Sequence, residues 1–545
     1  MRLYKRKKYT DDDKYGRSLL TLIDLPDEAL LLILKKLDNI AVLYLFIDLN
    51  ESFNKLVHDS IFTNHLTMIR CSSNGSFDRL DDHIHDRFCS QILSSIHHNI
   101  KWLDVECSSM EDVLLSTSYP NLSGLGLHNI EKGIALCIFT EETPLTHIFQ
   151  DKISSLVIDV VECESSSMND TSNSNIFAHI LTLFSKLTYF DYRSSFWYQS
   201  LFEMSTTISS SILLELHVKL YKFTDCLYLL DGRFDSLEKV FLDIYQISTP
   251  EIVNNKKELP KLKAFSLYSD QPTFQYNELI VPLLHRLVNL EELDLRLVVH
   301  CEKRFVDGYN LKHNIINHLF KLNKFQFNIR SCLYLNDQVH LLSNEDCQHS
   351  FNEFKNNKVT SRIDYFQNSK HGQCHIYSYP YRAKTYEYTT NNFPDGLFKY
   401  VREVSLNDNR PFEHEFFVKI AKSFPFVEQL TIYNRTPQKN KSYEQSKYDN
   451  QHLSPIRYPY LSVLELFSGH DDYVEQFLLD IKASLIRTVN LQVPLSTLDR
   501  ITHSFTRDAT RINCGKLLSI YVSPGDISIS TQLKDYFPHT KIYTL

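Results

Sequence analysis

The sequence predicts an α/β fold in which a short helical module precedes a long stack of strand-containing repeats. Two observations lead to this prediction. Helix signals follow one another closely within residues 25–57, and one spaced apolar pattern recurs from residue 100 to the end of the sequence. The composition agrees, since 43% hydrophobic and 23% charged residues are typical of a folded globular chain. A length of 545 residues suffices for several domains or for one elongated array.

The helical module begins where Pro26 suits a first helical turn and where Asp27 and Glu28 favour the positive end of a helix dipole. One apolar stripe follows at helical spacing: Leu30, Ile33, Leu34 and Leu37. Asp38 interrupts the pattern and can cap a second helix over residues 40–49. A third segment carries Phe53, Leu56 and Val57. Because three short helices enclose little core, we expect the remaining apolar side chains to pack on a partner or on the next domain.

This segment resembles an F-box. The family pattern of Leu-Pro, an acidic residue, an apolar ladder and a Leu-Asp turn is present from Leu25 to Asp38, although Ser52–Lys55 stands where the family often has Arg-Trp. The resemblance implies binding to a Skp1-like adaptor and, through it, to a cullin. The adaptor-contacting residues that it implies are Leu25, Pro26, Leu30, Ile33, Leu34 and Leu37. An ordinary three-helix cap of the repeat stack is the alternative interpretation.

The rest of the chain repeats the pattern apolar-x-x-apolar-x-apolar, and each copy predicts one strand. The copies before residue 330 are Ile100/Leu103/Val105, Leu122/Leu125/Leu127, Ile153/Leu156/Ile158, Leu187/Phe190/Tyr192, Leu213/Leu216/Val218, Leu237/Val240/Leu242, Leu262/Phe265/Leu267, Leu290/Leu293/Leu295 and Leu322/Phe325/Phe327. Those after residue 398 are Val401/Val404/Leu406, Val427/Leu430/Ile432, Leu461/Leu464/Leu466, Ile486/Val489/Leu491 and Leu517/Ile520/Val522, with a last strand ending at Tyr543/Leu545. One such unit cannot bury its apolar face, but stacked units can.

The copies between residues 187 and 290 begin 24 to 28 residues apart, a spacing that resembles leucine-rich repeats. The resemblance is loose, because the asparagine or cysteine that usually follows the strand is mostly missing and Asn409 is one match. It implies a leucine-rich-repeat-like α/β solenoid, or horseshoe. Between residues 330 and 398 the period fails, which predicts an irregular insertion or an atypical repeat. Blocks such as Phe393–Asp395 and Asp472–Leu479 are similar to F-box proteins expanded in bdelloid rotifers.

The predicted domain order is a flexible tail at 1–17, an F-box at 18–66 and a degenerate repeat array at 67–545. The tail contains a basic run that reads most simply as solvated, with nuclear import or phosphate contact as the alternative. This run comprises Arg2, Lys5, Arg6, Lys7 and Lys8.

If the strands form an arc, the residues between and directly after their inward apolar positions line its concave face. These residues mix charges with aromatic rings, which favours a protein partner because Tyr, Phe and Arg are enriched at interface centres. Taken singly, each of them is interpreted most simply as a solvated strand residue. The candidate target-binding residues are Arg193, Lys219, Phe241, Tyr268, Asp294, Arg296, Tyr433 and Phe467.

Composition and motifs disfavour several classes of function. A net charge of −8 disfavours a dedicated nucleic-acid binder, which needs a basic face. Eleven dispersed cysteines, without a C-x-x-C pair or an apolar segment after the basic start, favour reduced thiols in the cytoplasm or nucleus. The longest apolar runs are too short to span a membrane.

No catalytic, metal or cofactor site is predicted. Two histidine pairs invite a metal, but zinc usually takes a second cluster of Cys or His ligands, and none is evident. The pairs are His83 with His85 and His97 with His98. Cys374 and His375 are adjacent, and neighbouring residues of a strand point to opposite faces.

The leading hypothesis is a non-catalytic substrate-recognition subunit of an SCF-type ubiquitin ligase. The F-box would bind the Skp1-like adaptor, and the repeat arc would bind a target protein. The alternative is a protein-interaction scaffold with no ubiquitin-ligase role, and an enzyme of unrecognised type is a third possibility.

Overall fold

The computed structural model describes residues 25–71, 77–140, 149–161, 171–195, 199–202, 208–249, 258–335, 341–354, 358–366, 369–439, 455–522 and 531–544. Within these ranges the chain has the predicted α/β class, with large sheets built mainly of parallel strands. It divides into two compact units, Met1–Ser266 and Leu267–Leu545. The predicted tail at 1–17 and its basic run lie outside the described residues.

The first unit opens with four short helices where the sequence predicts helices. They are α1 (Asp27–Leu34), α2 (Asn39–Phe46), α3 (Glu51–Val57) and α4 (Ser60–Thr63). Asp38, Asn50 and Asp59 cap α2, α3 and α4, each accepting a backbone N–H two or three residues further on at 2.9–3.2 Å. The third helix buries its predicted apolar residues, Phe53, Leu56 and Val57. We refer to residues 25–63 as the helical module.

The remainder of the first unit alternates strands and short helices. The elements are β1 (His65–Cys71), β2 (Phe77–Arg79), α5 (Asp82–Arg87), a π-helical turn (Phe88–Ile92), α6 (Leu93–Ile96), β3 (Trp102–Glu106), a 3-10 turn (Cys107–Ser109), α7 (Met110–Ser116), β4 (Gly124–Glu131), α8 (Lys132–Thr140), β5 (Ser155–Val161), α9 (Ser172–Leu183), β6 (Tyr189–Ser194), β7 (Glu215–Lys222), α10 (Phe223–Leu229) and β8 (Lys239–Gln246). The strands run in the order β2-β1-β3-β4-β5-β6-β7-β8. Strands β1 and β2 pair antiparallel, whereas the pairs from β1 to β8 are parallel.

The predicted apolar pattern sets the register of these parallel strands. The middle apolar residue of each copy lies beside the middle residue of the next copy, which makes one buried row across the sheet. This row comprises Leu103, Leu125, Leu156, Phe190, Leu216 and Val240. Helices cover it, as where Phe177 of α9 stacks on Phe190 with ring centroids 5.6 Å apart. Full burial of each such side chain contributes about 1.5–3 kcal/mol.

Strand β1 is not predicted by the repeated apolar pattern. It begins at His65, one residue before the predicted end of the F-box, and its Leu66 pairs with Leu103. Leu66 and Met68 alternate with polar residues and are buried, which is the period-two signal of a strand. The six-residue pattern does not mark this strand, because Thr63 stands at its first apolar position.

The second unit contains two sheets and a separate strand pair. Its elements are β9 (Ala264–Thr273), within which the division between the units falls, a π-helical turn (Tyr276–Ile280), α11 (Val281–His285), β10 (Glu292–Cys301), α12 (Gly308–Asn314), a 3-10 turn (Ile316–His318), β11 (Lys324–Tyr334), α13 (Asn344–His349), β12 (Val359–Phe366), β13 (His371–Ser378), β14 (Thr385–Thr389), β15 (Glu403–Asn407), α14 (His414–Ser423), β16 (Gln429–Tyr433), β17 (Ile456–Tyr458), β18 (Val463–Glu465), α15 (Asp471–Leu478), β19 (Ala483–Leu485), β20 (Val489–Gln492), α16 (Leu495–Ile501), a 3-10 turn (Asp508–Thr510), α17 (Arg511–Cys514), β21 (Leu517–Val522), α18 (Thr531–Tyr536) and β22 (Lys541–Thr544). One sheet has the order β9-β10-β11-β13-β12, the other β14-β15-β16-β18-β20-β21-β22, and β17 pairs with β19.

Every predicted copy of the pattern coincides with a strand, but one copy has a different register from the expected one. In the second sheet, Val404, Leu430 and Leu464 form the corresponding row. Leu464 then pairs with Leu491, which in turn pairs with Ile520. The prediction that Val489 is the middle residue of its copy is therefore wrong. Leu491 takes that position, and Ile486, the predicted first apolar residue, is exposed.

The sheet pattern changes within residues 330–398, where the sequence period fails. Strands β10 and β11 are parallel, but β13 pairs antiparallel with both β11 and β12. Helix α13 and strand β12 come before β13 in the chain, so β13 is inserted between β11 and β12. The parallel order resumes with β14 and β15.

We predict that Gly126 is required for the packing of β3 against β4. A Cβ atom at Gly126 would lie 2.0 Å from Oδ1 of Asp104, whereas a Cβ at Gly133, in α8, would meet no atom within 4 Å. Gly126→Ala should lower the free energy of unfolding by about 1–3 kcal/mol through overpacking. Gly133→Ala should raise it slightly, by about 0.5 kcal/mol, because alanine favours helix. Urea denaturation of both full-length variants tests this, and equal stabilities would contradict it.

Candidate functional site

The helical module exposes several large aliphatic side chains. Their exposed fractions are 67% for Leu32, 42% for Ile33, 44% for Leu37, 53% for Leu45 and 48% for Leu49. These five exposed aliphatic residues lie within a stretch of 18 residues, and exposed apolar side chains mark interaction sites where they form one contiguous patch. We call these five residues the exposed leucine set.

The predicted adaptor-contacting residues do not share one accessible stripe. Leu30 and Leu34 are buried in the chain's own core, Leu25 is half-buried, and Pro26 and the two residues of the exposed leucine set, Ile33 and Leu37, are exposed. The predicted single stripe is therefore wrong. Helix α1 ends at Leu34, so helical periodicity does not extend to Leu37. Positions 30 and 34 face inward, and Leu30 and Leu34 are not available to a partner.

In the first unit, the predicted target-binding residues are paired with neighbours on the sheet. The guanidinium of Arg193 contacts the carboxylate of Asp191 at 2.5 Å. The ammonium of Lys219 lies 3.7 Å from Oδ2 of Asp243. Phe241 stacks on the ring of His217 on the adjacent strand, with centroids 4.1 Å apart. The candidates thus belong to a mixed-charge strand surface.

In the second unit, the structure brings together three of the five predicted residues and leaves the other two apart. Tyr268 and Arg296 line one recess, and Asp294 pairs with Arg296 at 3.1 Å. Tyr433 is exposed at the end of β16, and Phe467 lies in the turn after β18. Neither Tyr433 nor Phe467 lines the recess.

The recess is a shallow, open concavity of about 40 Å³ in the second unit. Strands β9, β10, β11, β13 and β14 contribute its walls, and the segment before β14 closes one side. Its charged and polar lining residues are Tyr268, Ser269, Asp270, Arg296, Asn328, Arg330, His375, Tyr381, Thr385 and Glu387. Both charge signs are represented, so the recess suits a polar segment that carries charged side chains.

Arg330 is the less exposed of the two arginines that line the recess. It is not among the target-binding residues predicted from the sequence. Its guanidinium lies 4.2 Å from the ring centroid of Tyr388 and 2.6 Å from Oε2 of Glu387. Only 11% of its side chain is exposed. Stacking on an aromatic ring fixes the plane of the guanidinium, which prepares its other N–H groups to donate to a ligand.

His375 forms a neutral, buried wall of the recess. Its Nε2 lies 2.7 Å from Oδ1 of Asn328, and the Asn328 amide donates to the hydroxyl of Tyr381 at 3.0 Å. Burial, together with the positive charges of Arg330 and Arg362, lowers the pKa of His375 to about 3. The imidazole is therefore uncharged at neutral pH and donates its Nε2–H to Asn328. It contributes shape and hydrogen bonding, and no charge.

The sequence does contain a signal for the recess, namely the loss of period within residues 330–398. This interval contributes four residues to the lining of the recess: Arg330, His375, Tyr381 and Glu387. Irregular segments that interrupt a regular scaffold are where binding residues concentrate. The repeated apolar pattern does not extend through this interval, so it could not predict these four residues.

A second polar cluster, in the first unit, is centred on Asp104. Its carboxylate accepts from Trp102 Nε1 at 2.9 Å and from Thr67 Oγ1 at 3.1 Å, and His65 Nε2 lies 3.1 Å away. Nε2 of His128 lies 3.5 Å from the other side of the carboxylate. Burial alone would raise the pKa of Asp104, but hydrogen bonds from these histidines and Trp102 outweigh it and hold the pKa well below its usual value.

Within the part of the chain that the structure describes, no three His, Cys, Asp or Glu residues are arranged to hold a metal ion. None of the helices described is both long enough and apolar enough to cross a bilayer. Cys374 and His375 have separate neighbours, since Cys374 faces Cys347 and His375 faces Asn328.

No protein-family model matches the sequence, and no curated protein is significantly similar to it.

We predict that Asp104 makes stability depend on acid pH. A depressed carboxyl pKa stabilises the folded state above the pKa of the unfolded chain, about 4, and this contribution is lost as the pH falls through the folded pKa. Asp104→Asn should lower the free energy of unfolding by about 2 kcal/mol at pH 7. The difference in the free energy of unfolding between wild type and variant should shrink below about pH 4. Urea denaturation at several pH values measures it.

Asp225 is the matched control, because its carboxyl is buried but shifted in the opposite direction. Burial raises the pKa of Asp225 to about 6, against hydrogen bonds from Ser200 and from the backbone amides of Leu201 and Phe202. A raised carboxyl pKa costs stability as the pH rises from about 4 to about 6. The free energy of unfolding of the wild type, relative to that of Asp225→Asn, should therefore fall as the pH rises over this range. Parallel profiles for the two variants would contradict the assignment of Asp104.

Proposed function

We propose that the chain is a substrate-recognition subunit of an SCF-type ubiquitin ligase. In this proposal the helical module binds a Skp1-like adaptor and, through it, a cullin, while the strand surface around the recess binds a target protein. The chain supplies no catalytic residue. It raises the effective concentration of a target lysine near the ubiquitin carrier, because tethering converts an encounter between molecules into a local one.

The observation that carries the proposal is the exposed leucine set. Its side chains leave apolar surface in water, and covering that surface releases about 25 cal/mol per Å². A partner helix or groove of complementary shape would gain this energy. The F-box resemblance supplies the class of partner, since Leu25 to Asp38 carries its sequence pattern.

The module can present these residues without unfolding, because other side chains form its core. Leu34, Phe53 and Val57 are almost completely inaccessible, and Asp38, Asn50 and Asp59 cap the helices. Adaptor contacts and fold-maintaining contacts are thus made by different residues. This separation makes surface variants informative, since they change docking with little effect on the core.

The recess supports the target-binding half of the proposal. The guanidinium of Arg330 is fixed against Tyr388, and Arg296 and Glu387 complete a lining of both charge signs. Arginine and tyrosine at a recessed position are typical of residues that dominate the energy of protein interfaces. We therefore place the main target contact at this recess.

We predict that Ile33 and Leu37 dock on the adaptor. The double variant Ile33→Asp with Leu37→Asp should weaken the binding of a purified Skp1-like adaptor about tenfold or more, because docking would bury unpaired carboxylates. Isothermal titration calorimetry with the full-length protein measures this. Thermal unfolding of the variant should change little, since both side chains are exposed.

Leu115→Asp is the matched control, because Leu115 is 48% exposed on α7 of the same unit but lies outside the helical module. It should bind the adaptor as the wild type does. Wild-type protein that is folded and shows no affinity for the adaptor would support the scaffold alternative. Equal loss of binding in the control and the double variant would remove the assigned docking role of the exposed leucine set.

A further inference from the structure

Two cysteines of the second unit meet in its buried interior. Cys347 lies on α13 and Cys374 on β13, and their sulfur atoms are 3.7 Å apart. Neither residue has any exposed surface. The sulfurs are thus in van der Waals contact, and a disulfide would require them to approach to about 2.05 Å.

Side-chain hydrogen bonds hold α13 in place over the sheet. Oδ1 of Asn344 accepts the backbone N–H of Ile363 at 2.7 Å, and Oε1 of Gln348 accepts the Ser361 hydroxyl at 2.9 Å. Ile363 is the strand neighbour of Cys374 on β12. The helix is therefore fixed to the strand beside Cys374, which sets Cys347 directly against it.

The two thiols also differ in the direction in which their pKa values are shifted. The hydrogen bond with Cys374 lowers the pKa of the Cys347 thiol, and the same bond, together with burial, raises the pKa of Cys374. Such an arrangement favours Cys347 as the sulfur that reacts first, since the thiolate is the nucleophile.

We propose that Cys347 and Cys374 form a reversible disulfide when the protein meets hydrogen peroxide. The Cys347 sulfur attacks a peroxide oxygen, so that an S–O bond forms, the O–O bond breaks and one water leaves. The Cys374 sulfur then displaces the hydroxyl group as a second water, and an S–S bond forms. The two sulfurs lose one electron each, and the peroxide accepts both. Both sulfurs are buried, so reaction proceeds through local opening of the six-residue helix α13.

The proposed disulfide would involve strand β13, which also forms one wall of the recess. Cys374 faces α13, and the next residue, His375, faces Asn328 and lines the recess. A bond between Cys347 and Cys374 would fix the strand that forms one wall of the recess. Oxidation would therefore change the rigidity of the site that we assign to the target, while the disulfide itself does not depend on that assignment.

Peptide mapping of the full-length protein tests the proposal. Fully reduced protein is treated with hydrogen peroxide, its remaining thiols are alkylated under denaturing conditions, and the digest is analysed by mass spectrometry. We expect a linked peptide pair containing Cys347 and Cys374 that disappears on treatment with dithiothreitol. The midpoint of thermal unfolding should rise by about 5–10 °C on oxidation.

Three variants make the result specific. Cys347→Ser and Cys374→Ser should each abolish the rise in midpoint, whereas Cys514→Ser, at an equally buried cysteine of the same unit, should retain it. Recovery of Cys347 and Cys374 as separate alkylated thiols from treated wild-type protein would overturn the proposal. A linkage of either cysteine to Cys301, the other thiol that influences Cys374, would overturn it as well. The mapping uses wild-type protein, so it stands even if a variant fails to fold.

Discussion

Parallel strands held in one register by a row of apolar residues are the constraint on which the rest of each unit depends. In the first unit, the row from Leu66 through Leu103 to Val240 aligns neighbouring strands without a shift at the middle position. A slip of one residue would turn the apolar set of a strand toward water. The opposite positions are thereby free to carry charges, aromatic rings and the Asp104 cluster.

The recess exists where this constraint is relaxed. Strand β13 enters antiparallel to its neighbours, so its side chains meet those of β11 in a new pairing, with Arg330 beside His375. The same strand presents Cys374 on its other side. One irregular strand thus connects a polar recess with a buried dithiol, which a further regular repeat would not have done. The helical module belongs to the first unit, where it presents the exposed leucine set.

Much of the fold could be predicted because burial imposes a period on the sequence. Each copy of the apolar pattern marks a strand, and Asp38 marks the start of a helix. Where the pattern is incomplete, as at Leu66, or shifted, as at Leu491, the sequence did not reveal the register. The site was less predictable. Exposure within a short helix depends on which side its neighbours cover, and the position of Arg330 depends on contacts with Tyr388 and Glu387 that are remote in sequence.

Backbone hydrogen exchange of the full-length protein, with and without a purified Skp1-like adaptor, shows whether the helical module is the docking element. If the helical module is the docking element, deuterium uptake within residues 27–49 should fall when the adaptor is added, while uptake in β10, β11 and β13 should stay unchanged. Unchanged uptake within residues 27–49 at saturating adaptor, or protection confined to the strands, would contradict the account.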